Sequence, residues 1–306
     1  MKRARAHAAG STADELTLTG VAFGLLRIDP DYAKRRGFDS AFLGVPLPLP
    51  AVDRLDVAVG PGAPDGFLHY HHFTVVMNGD RRLAIYAAAN VDGRRRFTRV
   101  PSRDRWAVDP RLPAAQTANA LYAGNDLDRG HLARRADMVW GDTLDEAAAS
   151  VADTYHFSNC APQHRDFNQN DATWQGLEDY ILGAVADHRL RANVYTGPVF
   201  DPADPVYRGV RIPRSFWKVV AVATEQAVHA TAYLIEQTDL LDSLGRAAEE
   251  PPLGAFRTYQ ARIGHVEALT GIGFGALSGF EPAQPPGGDA EERQPIELHD
   301  LKDVSL

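Results

Sequence analysis

Residues 128–131, Asp-Arg-Gly-His, and residues 154–178, TYHFSNCAPQHRDFNQNDATWQGLE, are the stretches whose reading decides the fold. The tetrad sets a carboxylate, a guanidinium, a flexible backbone joint at Gly130 and an imidazole in one short segment. The second stretch opens with a short strand, Thr154 to Asn159, which Pro162 ends. A loop follows to Asn170, and then a helix. Trp174, Leu177, Ile181, Leu182 and Val185 recur at helical spacing, with Asn170 or Asp171 placed to cap the start. Strand, irregular loop and helix in that order imply an α+β domain.

Within that helix Glu178 is out of place. It adjoins Leu177 and follows Trp174 by four residues, so it falls inside the apolar stripe. A carboxylate facing a core costs several kcal/mol, on the order of 3–5 or more, unless it is paired or near a metal ion. A bland alternative is a carboxylate at the stripe's edge reaching solvent or an arginine. His131 suits a general base, because an imidazole with a pKa near about 6.5 is largely neutral at physiological pH. Arg129, two residues earlier, shares its strand face and has the fork geometry to grip a phosphate oxygen. Asn168 offers a neutral oxygen donor suited to a hard cation such as Mg²⁺, which keeps several waters and needs few protein ligands.

Composition narrows the function classes. The 306 residues carry a net charge of −8, which by itself disfavours a polyanionic partner. The distribution differs: between Arg94 and Arg135 ten arginines face four aspartates, an excess of six positive charges in an acidic chain. A basic ligand-binding loop and a solvated arginine-rich loop fit that excess equally. A single cysteine, Cys160, excludes an intrachain disulfide and a multi-cysteine zinc cluster. No apolar run approaches the roughly 20 residues of a membrane span, and residues 1–20 lack a secretory apolar core, so the expectation is a cytoplasmic protein with no membrane contact.

Along the chain, His69 to Met77 is expected as one strand, Asn78-Gly79 as a hairpin turn and Arg82 to Asn90 as the returning strand. In such a strand His69 and His71 share a face while His72 points away, so the three do not converge on a metal. Ala192 to Tyr195 and Trp217 to Ala230 are expected as strands with a turn at Gly197-Pro198, and residues 256–269 as a helix stopped by Gly271. The expected organisation is an irregular segment over 1–40, one domain over 41–280, and a proline-, glycine- and acid-rich tail over 281–306.

Several blocks together resemble one family. Asp128-Arg129-Gly130-His131 followed by Leu132-Ala133 is similar to the signature of the DNA/RNA non-specific endonucleases. Ser158-Asn159-Cys160-Ala161-Pro162-Gln163, then Asn168-Gln169, Trp174 and Leu177-Glu178, resembles the same family's second motif. Tyr195-Thr196-Gly197-Pro198, Ile212-Pro213 through Phe216-Trp217-Lys218, and Ile263 to Phe274 resemble later blocks. The resemblance implies a ββα-metal (His-Me finger) fold with a central antiparallel sheet, and a Mg²⁺-dependent endonuclease acting on both DNA and RNA, with Mn²⁺ able to substitute. It implies His131 as general base, Asn168 as direct metal ligand and Glu178 as the group orienting the metal's waters. Arg129 would neutralise charge on the phosphate, Asn159 would hold the site or the substrate, and an upstream arginine, Arg105 or Arg103 with Arg105 preferred, would bind substrate. Family members are often homodimers. The sequence departs from the pattern in an acidic, alanine-rich stretch at 141–153 and in one or two extra residues between Asn168 and Glu178. The alternative function is a catalytically silent nucleic-acid-binding or protein-interaction module on the same fold. A serine hydrolase is disfavoured by the lack of a G-x-S-x-G elbow.

Overall fold

Neighbouring residues on the long strands are buried in pairs: Val75 with Val76, Phe216 with Trp217, Val219 with Val220. Successive strand side chains point to opposite faces, so these pairs require cover on both sides of the sheet. The computed structural model describes residues 28–52, 55–101, 104–168, 174–241, 257–282 and 295–298. Its strands are β1 (Phe67–His69), β2 (Phe73–Asn78), β3 (Leu83–Asp92), β4 (Leu127–His131), β5 (Cys160–His164), β6 (Arg191–Val199), β7 (Val206–Tyr207), β8 (Val210–Arg211), β9 (Ser215–Ala223), β10 (Val228–Glu236), β11 (Arg257–Ala261) and β12 (Ile296–Leu298). Eight of them form one antiparallel sheet in the order β1-β2-β3-β6-β9-β10-β11-β12. β4 and β5 form a separate antiparallel pair.

One face of the sheet, with Phe73, Val75, Phe216 and Val220, packs under Leu132, Met138, Val151, Ile181 and Val185. The other, with Val76, Tyr86, Trp217 and Val219, is covered by Phe38, Leu47, Ile263 and Val266. A third cluster, including Leu121, Tyr122, Leu127, Phe157 and Cys160, sits beneath the β4–β5 pair. Helices α1 (Asn119–Tyr122), α2 (Leu144–Asp153), α3 (Arg165–Asn168) and α4 (Trp174–Asp187) flank that pair. The result is an α+β fold with a central antiparallel sheet. No helix among the described residues is long and apolar enough to cross a membrane.

Several local expectations change. The single strand expected over His69–Met77 is two, β1 and β2, folded back on each other. His72 takes the left-handed φ of +69° at the turn. It is held there by the Asn90 N–H donating to its carbonyl at 2.9 Å and by stacking of its ring on Trp140, 3.6 Å between centroids. No glycine or proline marks this break, so only tertiary contacts reveal it. The Asn78 hairpin forms, with its loop lengthened to Gly79–Arg82. Arg82 supplies the positive φ of +54°, and Asn78 Oδ1 accepts from the Arg81 N–H at 2.8 Å.

Thr154–Asn159 is not a strand: Phe157–Asn159 is a 3₁₀ turn, and the strand is β5, which contains Pro162. A proline is tolerated because β5 has a partner on one side only. Gly197-Pro198 lies within β6 rather than at a turn. A Cβ on Gly197 would stand 2.3 Å from the Ile85 carbonyl oxygen, so the residue is required by close approach. Trp217–Ala230 is a hairpin of β9 and β10. Residues 256–269 divide into β11 and the helix Ile263–Thr270, with Gly271 as the expected left-handed stop at φ +71°.

Two described segments nearer the ends of the sequence also join the body. Arg35 is buried in an ion pair with Asp153 at 2.8 Å, and Ile296–Leu298 pairs with β11. Both positions fall in segments expected to lie outside the domain.

Candidate active site

Strand β4 carries the tetrad and β5 aligns it, with His131 opposite Cys160, Gly130 opposite Ala161 and Arg129 opposite Pro162. Gly130 is not a joint. A Cβ there would meet Gln163 Oε1 at 1.9 Å, so the absence of a side chain lets the buried Gln163 lie against the strand. Arg129 and His131 share a face, as the two-residue period demands, and both reach the ring of Trp106.

The His131 ring lies 4.8 Å from Trp106 and 5.3 Å from Tyr155, edge-on to the latter. Burial pushes its pKa down to about 3, and the charges of Arg134 and Arg135 act in the same direction, so the imidazole is neutral at pH 7. Its Nε2 is buried without a hydrogen-bond partner among the described residues. An unpaired basic nitrogen in a dry position is costly unless something else approaches it.

Arg129 donates from Nη2 to Asn119 Oδ1 on α1 at 2.8 Å. Its guanidinium lies 5.3 Å from the Tyr122 ring and 5.9 Å from Trp106, and its Nε is likewise buried and unpartnered among the described residues. Asn159 is fully committed to backbone. It donates to the carbonyls of Ala133 at 2.9 Å and Thr154 at 3.0 Å, and its Oδ1 accepts from the Ala133 N–H at 2.9 Å. These three bonds pin the turn that follows His131.

Glu178 on α4 is buried, and the reason it can be is visible. Lys218 Nζ on β9 lies 2.9 Å from Oε1, and Arg134 Nε lies 2.9 Å from Oε2. Arg134 also reaches Asp179 at 2.7 Å. Nearby Asp137 is buried, and burial raises its pKa despite Arg134 and Lys218. Of the options weighed from sequence, pairing with a cation is what the structure displays for Glu178. Each carboxylate oxygen keeps a further lone pair.

Asn168 closes α3, within the connection between β5 and α4; its side chain lies outside the described residues, as do Arg103 and the expected caps Asn170 and Asp171. Arg105 is exposed, one residue before Trp106. Part of the arginine excess is engaged within the chain: Arg95, at the surface, pairs with Asp92 and Asp142, Arg111 pairs with Asp109, and Arg96 donates to the Ala136 carbonyl. His69 contacts Thr74, His71 pairs with Asp153 and His72 stacks on Trp140. No group of three or more His, Cys, Asp or Glu able to hold a metal forms among the described residues.

Sequence reasoning missed Trp106, Asn119, Arg134 and Lys218 as parts of this site. Lys218 had a signal: a lysine inside the apolar strand Phe216–Ala223 is as out of place as Glu178 in its helix.

A strand pair that delivers a histidine to a site flanked by a helix defines the ββα-metal class of nuclease folds. The model of the DNA/RNA non-specific endonuclease family matches residues 57–278, and the chain belongs to this family. It is 37% identical over 260 residues to the uncharacterized protein y4fB of Sinorhizobium fredii, covering 78% of this chain and 39% of that one. It is 29% identical over 183 residues to a nuclease of Nostoc sp., covering 59% and 62%. It is 38% identical over 89 residues to human mitochondrial endonuclease G, covering 28% and 26%. The chain thus spans 62% or less of the length of each of these relatives.

Proposed function

We propose that this chain is a Mg²⁺-assisted endonuclease that hydrolyses phosphodiester bonds in DNA and RNA, with His131 as general base. The observation that carries the reading is the buried, unpartnered Nε2 of a neutral His131 beside an arginine with a buried, unpartnered Nε. One group can take a proton and the other can receive a phosphate oxygen.

In the proposed step, His131 Nε2 accepts a proton from a water whose oxygen attacks phosphorus. The bond from phosphorus to the 3′-oxygen breaks, and that oxygen leaves as a hydroxyl after taking a proton from solvent, giving a 5′-phosphate end. Arg129 holds a non-bridging oxygen as charge develops. The anionic substrate itself raises the His131 pKa from its low resting value, which strengthens the base when it is needed. Backbone contacts dominate such recognition, and Arg105, which is exposed, would add one.

The donor set fits a mostly hydrated Mg²⁺, which needs only one or two oxygen ligands from the protein. Asn168 would hold it, and Glu178 would orient its waters through the lone pairs that Arg134 and Lys218 leave. When bound, the ion supplies charge stabilisation at the phosphoryl and leaving oxygens. Asn159 acts by bracing the turn after His131.

The test is incubation with plasmid and with RNA, with and without EDTA, for wild type and His131→Ala. EDTA-sensitive cleavage lost in the variant is expected. Binding without cleavage would instead favour a silent module, and unchanged cleavage by the variant would mean that the base lies elsewhere. Sedimentation of the same samples reads out the homodimer that the family resemblance implies.

A further inference from the structure

The two reactive side chains of the tetrad meet a single residue that lies outside it. The indole of Trp106 stands 4.8 Å from the His131 ring at an interplanar angle of 43°, and 5.9 Å from the Arg129 guanidinium carbon. Each of the two has a tyrosine as a further aromatic contact: Tyr155 is 5.3 Å from His131, and Tyr122 is 5.3 Å from Arg129. Trp106 is therefore shared between them, and each tyrosine adds a contact to one member.

The indole is itself fixed. Tyr155 meets it edge-on at 5.5 Å and Phe157 at 5.7 Å. Its loop is docked through backbone, the Ala107 N–H donating to Tyr155 and the Phe157 N–H to Ala107, each at 2.9 Å. This pairing ties the arginine-rich loop to the segment leading into β5. Exposed Arg105 rides on the same loop.

We propose that Trp106 is the positioning residue of this site, a wedge that fixes the separation and relative orientation of His131 and Arg129. The proposal rests on the nuclease reading. An in-line attack needs the water that His131 deprotonates and the phosphate that Arg129 holds to stand in register. Misplacement of about 1 Å costs roughly 100-fold in rate. The indole also keeps water from the imidazole, so its loss both loosens the ring and hydrates it.

The test compares full-length wild type, Trp106→Phe, Trp106→Leu and His131→Ala on plasmid, with melting temperature measured on each. Phenylalanine keeps a π face, whereas leucine keeps apolar volume without one. Trp106→Leu is expected to lose on the order of 100-fold in kcat/KM, mainly in kcat, while Trp106→Phe stays within about fivefold of wild type. Water reaching the ring should also move the acid limb of the pH–rate profile upward in Trp106→Leu. Equal rates and an equal acid limb for Leu, Phe and wild type would overturn the proposal. Trp106→Met serves the same comparison should leucine lower the melting temperature. A wild type that does not cleave, or a His131→Ala that does, would remove the nuclease reading itself, a result distinct from Trp106 variants that merely match an active parent.

Discussion

Arg134 Nε lies 2.9 Å from Glu178 Oε2, joining the turn after the tetrad to helix α4, while Lys218 holds the other oxygen from the central sheet at 2.9 Å. Three elements distant in sequence converge on one buried carboxylate. Removing Lys218 leaves the buried carboxylate with Arg134 alone, and Arg134 is shared with Asp179.

Lys218→Met is therefore expected to destabilise the protein by about 3–5 kcal/mol, measured by urea unfolding, and to lower activity by loosening α4. Lys218→Met combined with Glu178→Leu should recover most of the loss. A Lys218→Met protein as stable as wild type would mean the cluster is far more hydrated than its burial indicates.

Stability should depend on pH through histidine. Burial holds His131 and His72 at about 3, with Arg134 and Arg135 assisting at the first and His71 and Arg95 at the second. Their ordinary value is about 6.5. Between those limits the unfolded chain binds more protons than the folded one, so stability rises with pH. It is fully present above about 6.5 and is lost as pH falls toward 3, with a slope of up to about 1.4 kcal/mol per pH unit for each histidine. Asp153 acts lower. Burial would raise its pKa, but His71 and Arg35 hold it at about 2, so its contribution fades only below about 4. Unfolding between pH 7 and 4 tests this. His72→Asn, which tolerates the left-handed backbone, should reduce the slope by one proton's worth.

Gly130 and Gln163 should be coupled. Alanine at 130 forces Gln163 aside and is expected to cost about 1–3 kcal/mol. In the double variant Gly130→Ala with Gln163→Ala, the clash partner is gone, and the combined loss should be smaller than the sum of the single losses. Strict additivity in a double-mutant cycle would mean that the clash inferred from the close approach of these residues is absent.

Asn159 separates bracing from chemistry. Its three backbone bonds are worth on the order of 1 kcal/mol each, so Asn159→Ala should lower stability by about 3 kcal/mol. Activity should fall with it, through displacement of the turn after His131. A large loss of kcat at wild-type stability would instead place Asn159 on the substrate.

Local pattern carried a good part of the fold. The tetrad strand, the hairpin at Asn78 and helix α4 are legible because each depends on spacing and turn chemistry within a few residues. The turn at His72 is not, since a histidine with φ of +69° is held by Asn90 and Trp140 from other elements. Pro162 was misleading for a related reason: whether a proline ends a strand or lies within it depends on how many neighbours that strand has.

The site divides the same way. By itself the sequence determined the family, the tetrad, the histidine suited to be a base and a carboxylate that had to be compensated. Residue type and order are enough for these, because they follow from intrinsic pKa values, hydrogen-bonding capacity and helical period. Only the tertiary structure decided what compensates Glu178, how Asn159 spends its amide, why position 130 must be glycine, and that Trp106 touches both His131 and Arg129. Each is a contact between segments far apart in the chain, and such contacts are set by packing of the whole fold.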